Sequence, residues 1–149
     1  MTEKELNQKK KDYLRSYKPI ERRIRQIEED IHKLQLEADA SRAIQYSDMP
    51  KGSSNLQSPQ EAYTIALEEA INKRTALKAE YVKKKEEIKQ TIHSIHDEEL
   101  EELLEYRYIS EMPISQIAKK IGYGTAQTNR LLSKALKEIK TEKLKDDTK

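Results

Sequence analysis

The chain has 149 residues, of which 35% are hydrophobic and 38% are Asp, Glu, Lys or Arg, too little apolar material for one thick globular core. It contains no Phe, Trp or Cys, and three Gly and four Pro accompany eight Tyr, a supply that suits helices rather than sheets and excludes disulfides, thiol catalysis and Cys-based metal sites. The formal charge of +2 is unevenly spread: Asp97 to Ile109 carries a net −5, which repels DNA, and Lys119 to Lys145 a net +6, which attracts it.

The charged start Met1-Thr2-Glu3-Lys4-Glu5 does not read as a signal peptide, and no apolar run approaches the roughly 18 residues of a membrane helix. A cytoplasmic protein with no membrane partner is expected. From the N-terminus, apolar or aromatic residues recur at Leu6, Tyr13, Tyr17, Ile20, Ile24, Ile27, Ile31, Leu34 and Ala38. From Tyr17 onward the steps alternate between three and four, the spacing of a coiled-coil seam. Pro19 falls inside it and predicts a kink or a helix restart, the unbroken phase favouring a bend in one long arm. Arg22, Arg23, Arg25, Glu28, Glu29 and Asp30 mix both signs on the outer face, as a solvated helix surface does.

Tyr46 to Asn55 collects turn formers and predicts a loop over about 45–57. It is either a plain connector or a docking site for host RNA polymerase or another partner. Ser58, Pro59 and Glu61 then match a capping box with proline at the first helical position. The second long helix carries Tyr63, Leu67, Ala70, Leu77, Tyr81, Ile88 and Ile95 on one stripe, interrupted by Arg74 and Lys84, whose aliphatic stems can lie along an apolar groove. Neither narrow stripe is stable in water alone, so the two arms should fold back as an antiparallel hairpin sealed by Ile20, Ile24, Ile27, Ile31, Leu34, Leu67, Leu77, Tyr81 and Ile88. The same seam could instead join two chains, and a homo-oligomer, a dimer first, is expected.

Ser94 and Asp97 resemble another capping box, restarting the chain as a helix from about Ile95 to Ile109. Two shorter amphipathic stretches follow, Pro113 to Ile121 and Thr125 to Thr141, joined by Gly122-Tyr123-Gly124. The expected organisation is an arm over 1–95, a compact domain over 96–141 and a frayed basic tail over 142–149.

The stretch from Ile114 to Leu132 has the features of a helix-turn-helix. Ile114, Ile117 and Ile121 face a bundle, Ala118 is small where a second helix crosses, and Gly122 suits a left-handed helix end. The second helix would bury Thr128, Leu131, Leu132, Ala135, Leu136 and Ile139. Its opposite face offers Thr125, Ala126, Gln127, Asn129, Arg130 and Ser133 to a major groove, where Arg grips guanine and Asn or Gln grips adenine. Ser115, Gln116, Lys119, Lys120, Lys134 and Lys137 are the candidates for phosphate contacts.

Leu104-Glu105-Tyr106-Arg107-Tyr108, Pro113 to Tyr123 and Arg130 to Leu136 resemble the fourth conserved region of bacterial sigma factors, which reads the −35 promoter element. With the arm segment Tyr13 to Pro19 and the loop Tyr46 to Ser53, the whole chain is similar to the RinA/ArpU-type late-gene transcriptional activators of Gram-positive phages and prophages. Composition and spacing together lead to the expectation of an all-α fold, a long antiparallel coiled-coil hairpin followed by a small sigma-like helix-turn-helix domain. The resemblance implies sequence-specific binding of promoter DNA and activation of phage late genes. Three departures stand out: Pro113 occupies a slot usually held by a capping Ser or Thr, Gly124 replaces a Ser, and Thr128 replaces a buried Val, so its hydroxyl needs a partner such as a carbonyl one turn back.

His93 and His96, three apart, could supply two metal ligands, but no third His is near; no cofactor, metal or enzymatic activity is expected. Two other classes stay open. A small-terminase-like packaging component would form a ring-sized oligomer, and a coiled-coil interaction module would show no specific duplex binding.

Overall fold

The computed structural model describes the backbone of residues 2–47 and 59–140 and the side chains of 2–40 and 59–140. Among them are only helices and turns, the expected all-α class: α1 (Glu3–Leu14), α2 (Lys18–Ser47), α3 (Pro59–His93), α4 (Glu98–Leu104) running on into a π-helical turn (Glu105–Ile109), α5 (Ile114–Ile121) and α6 (Thr125–Glu138). No described helix is long and apolar enough to cross a membrane. The expected cap on Ser58, most of the expected loop and the basic tail lie outside the described residues. Tyr46 and Ser47 do not belong to that loop: they extend α2.

The chain divides into two compact units, one holding Pro19–Tyr81 and the other the residues up to Lys18 together with those from Val82 onward. This division cuts through the arm expected over 1–95, because α1 and the last turns of α3 bury their side chains with α4 to α6.

In the Pro19–Tyr81 unit, α2 and α3 are the two strokes of the hairpin. Lys78 Nζ lies 3.6 Å from Glu28 Oε1, and the two residues stand equally far from the helix ends that flank residues 48–58, as antiparallel pairing requires. Ile20, Ile24 and Ile31 are buried, whereas Ile27, Leu34, Leu67, Leu77 and Tyr81 are half-buried. A helix with a single neighbour covers one stripe, and its rim stays wet. Arg74 is half-buried in the same register, as expected of a seam interrupted by a long stem.

In the other unit, Thr2 starts α1 with a capping box: its Oγ1 accepts from Glu5 N–H at 3.2 Å, and the Glu5 carboxylate accepts from Thr2 N–H at 3.4 Å. The interruption expected near Pro19 is a short turn. Helical bonding in α1 stops at Leu14, Ser16 Oγ donates to Tyr13 O at 2.5 Å, and α2 resumes at Lys18 with Pro19 in its first turn, where the missing N–H costs nothing. Tyr13, Leu14 and Tyr17 then point into a core shared with Ile88 and Ile92 of α3, Leu100, Leu103 and Leu104 of α4, Tyr108, Ile117, and Leu132, Leu136 and Ile139. Burying such side chains is worth about 1.5–3 kcal/mol each, the main favourable contribution to folding.

The capping box expected at Ser94 is not formed. Ser94 Oγ donates backward to Thr91 O at 2.6 Å and closes α3, and Asp97 caps the next helix by accepting from Leu100 N–H at 3.2 Å. The helix therefore starts at Glu98, not Ile95. An ionised carboxylate is the stronger acceptor at a helix start, and a hydroxyl committed to the preceding turn cannot serve the following one. At its far end α4 widens into the π turn, closed by Ser110 N–H to Glu105 O at 2.9 Å.

Candidate nucleic-acid interface

α5 begins at Ile114 after Pro113, which supplies no side-chain cap. It ends at Gly122, whose φ of +79° lies in the left-handed region, and Gly122 N–H and Tyr123 N–H both donate to Ala118 O, at 3.0 and 3.1 Å. Tyr123 and Gly124 complete the turn, and α6 begins at Thr125 without a side-chain cap. The Thr128 hydroxyl is fully buried and donates to Gly124 O at 2.9 Å, the carbonyl one turn back that the sequence required. Ile117 and Ala118 are buried and Ile114 and Ile121 half-buried on α5. On α6, Thr128, Leu132, Ala135 and Leu136 are buried, as is Ile139 just beyond it, while Leu131 is half-buried. α6 stops at Glu138, short of the expected Thr141, because Ile139 turns to extended backbone with ψ 128° and buries its side chain.

The opposite face is exposed throughout. Thr125, Ala126, Gln127, Asn129, Arg130 and Ser133, the residues selected for base reading, all face solvent, as do Ser115, Gln116, Lys119, Lys120, Lys134 and Lys137. Asn129, Arg130, Ser133, Lys134 and Lys137 line one shallow open depression along α6. Such a surface suits a broad polar ligand rather than an enclosed small molecule.

Two of the candidate phosphate contacts have partners that sequence reasoning did not reveal. Lys120 Nζ lies 4.7 Å from the centroid of the Tyr106 ring, and Lys137 Nζ lies 3.2 Å from Glu3 Oε1. Lys119, Arg130 and Lys134 form no ion pair among the described residues. Beneath this face, Lys10 of α1 is 3% exposed, and its Nζ donates to Leu136 O at 2.9 Å and points to Lys137 O at 3.4 Å. Burial lowers the Lys10 pKa from its ordinary value, while the charges of Glu138 and Glu3 act to raise it. A signal for this residue existed. Leu6, Tyr13 and Tyr17 leave one gap in the 4-3-4 spacing, and Lys10 fills it.

The pairing of Tyr17, a seam residue by its spacing, with Glu111 was not legible either. The Tyr17 hydroxyl donates to Tyr108 O, with the Glu111 carboxylate 3.0 Å away; Lys18 Nζ lies 3.2 Å from that carboxylate. Together they hold Glu111 at φ +57°, left-handed for a non-glycine residue, in the turn before α5. Burial acts to raise the Glu111 pKa, but hydrogen bonds from Lys18 and Tyr17 outweigh it and lower the value. Arg15 lies 5.1 Å from the Tyr108 ring centroid, and burial raises the pKa of Tyr108.

The two histidines do not lie on one helix. α3 ends at His93, which lies 2.9 Å from Glu105 and 3.5 Å from Glu101, and His96 sits in the following turn at φ +58°. Among the described residues no group of three His, Asp or Glu could hold a metal ion. The rest of the acidic surface, Glu98, Glu99 and Glu102, is exposed on α4.

No curated protein and no solved structure matches the chain. A family model does, over residues 57–140, which span α3 to α6 and leave α1 and α2 outside. That match covers more than half of the sequence, and the chain belongs to the family described as Protein of unknown function (DUF1492).

Proposed function

We propose that this protein is a sequence-specific regulator of transcription that binds double-stranded DNA at a promoter, inserting α6 into a major groove. The observation that carries the reading is the division of α5 and α6 into a buried apolar side and an exposed side holding every candidate DNA contact. Asn129, Arg130 and Gln127 would read base edges, Thr125, Ala126 and Ser133 would adjust the fit, and the lysines would neutralise phosphates. The net +6 from Lys119 to Lys145 favours such a partner electrostatically. The likeness to the sigma-factor region and to RinA/ArpU-type activators supports a phage or prophage late-gene activator working with host RNA polymerase in the cytoplasm.

Self-association belongs to the same reading. Ile27, Leu34, Leu67 and Leu77 are half-buried on the hairpin and could be covered by a second chain, which would double the DNA contacts of one small module. A sedimentation mass of one chain at micromolar concentration would remove the dimer.

The test of base against phosphate contacts is a pair of substitutions read on duplexes over a range of salt. Arg130→Ala should cost roughly 1–3 kcal/mol on the preferred sequence and relax specificity there, whereas Lys137→Ala should weaken all duplexes alike and flatten the salt slope. Identical behaviour of the two variants would contradict the assignment.

A further inference from the structure

The last carbonyls of an α-helix have no partner within the helix, and a helix that must present side chains to a fixed template needs that end held. In α6, Leu136 O receives a bond from Ile139 N–H at 3.2 Å. The remaining donor comes from far away in sequence: Lys10, on α1, buries its ammonium against Leu136 O and Lys137 O. Burying a cation is unfavourable unless it finds hydrogen-bond acceptors, and the negative end of a helix dipole supplies both acceptors and potential. Near the N-terminal end of α6, the Thr128 hydroxyl and Gly122 fix the turn. The helix is thus pinned at both ends, with Asn129, Arg130 and Ser133 between the pins.

We infer that Lys10 is a positioning residue for the recognition surface: by capping the carbonyl end of α6 from α1, it holds the exposed face of α6 in the alignment that base reading requires. The inference rests on the DNA-binding reading for its consequence, and on the Lys10 geometry alone for its mechanism. Bidentate base contacts tolerate little misalignment, so a helix freed at one end loses discrimination before it loses general attraction to DNA. Lys10, being buried, should displace no counterion from DNA, which separates it from Lys119 or Lys134.

The experiment compares the full-length protein with Lys10→Met and Lys10→Arg by two measurements. The first is amide hydrogen exchange. In Lys10→Met the last turn of α6 should exchange about tenfold faster, with α4 and α5 unchanged, and Lys10→Arg, which keeps a buried cationic donor, should restore much of the protection. The second is the ratio of affinities for a selected and a random duplex. In Lys10→Met it should fall about tenfold, the worth of one bidentate base contact, at an unchanged salt slope.

Unchanged exchange in α6, or exchange that rises equally in every helix, overturns the positioning role. So does a flattened salt slope at constant specificity, because that marks Lys10 as a phosphate contact. Local exchange as expected, in a wild-type protein that prefers no duplex over another, leaves Lys10 as the anchor of α6 and refutes the DNA reading instead.

Discussion

Gly122→Ala isolates the turn between α5 and α6. At φ +79° an L-residue is strained by about 1–2 kcal/mol, because its Cβ crowds the adjoining carbonyl. Apart from the adjoining backbone, a Cβ built there meets no atom within 4 Å, so no clash or new contact with the rest of the protein alters that figure. Lower entropy of the unfolded alanine chain returns roughly 0.4–1 kcal/mol, leaving a net loss of about 1 kcal/mol. Gly124 is the matched control. It has φ −74° and equally open space, and its cap position favours hydroxyl side chains, so Gly124→Ser should gain a few tenths of a kcal/mol. In thermal unfolding followed by circular dichroism, Gly122→Ala should melt roughly 2–8 °C below wild type, and Gly124→Ser at or slightly above it. A Gly122→Ala variant that melts with the wild type would refute the left-handed turn and the crossing of α5 and α6 built on it.

Other contacts yield separate expectations. Glu3→Gln removes a carboxylate 3.2 Å from Lys137, so duplex affinity should rise about twofold to fivefold at low salt and the gain should vanish at high salt; a gain that survives high salt contradicts an exposed ion pair. Thr128→Val deletes one hydroxyl yet leaves Gly124 O bonded to the residue 128 N–H at 2.9 Å, so the denaturant midpoint should shift by no more than about 1 kcal/mol of stability. The lowered Glu111 pKa means that the unfolded chain binds more protons below the ordinary value of 4.5. Its contribution is therefore present above that value and lost as pH falls through the folded pKa. Glu111→Gln should be less stable than wild type near neutral pH, and the difference should shrink in acid; a difference independent of pH would show that the carboxylate charge is not what matters.

Local signals in the sequence anticipated those parts of the fold that local interactions determine. The 3-4 spacing from Ile20 to Leu34 located the hairpin stripe. The small Ala118, the glycine at 122 and the alternating faces of α5 and α6 located the helix pair, down to the carbonyl partner of Thr128. What escaped was set by pairings between distant segments. The cap of α4 is the local exception: Ser94 closes α3 by donating to Thr91 O, three residues back, which leaves the cap to Asp97. The π turn over Glu105–Ile109 accompanies the Tyr17 bond to Tyr108 O, a contact that no local period encodes. Lys10 filled a seam position, but a lysine within Lys9-Lys10-Lys11 looks solvated until α6 presents its carbonyls. The exposed face of α6 was legible because amphipathic spacing reports which side is wet; the sequence of bases it would meet is encoded in the partner and not in this spacing.

Whether α6 reads DNA is decided by selecting bound fragments from a random duplex pool at about 150 mM salt, with wild-type protein beside Asn129→Ala/Arg130→Ala. The wild type should enrich a defined sequence, and the double variant should lose that enrichment while both proteins remain equally helical. Failure of the folded wild type to enrich any sequence, or enrichment that survives both substitutions, would contradict α6 as the element that reads DNA.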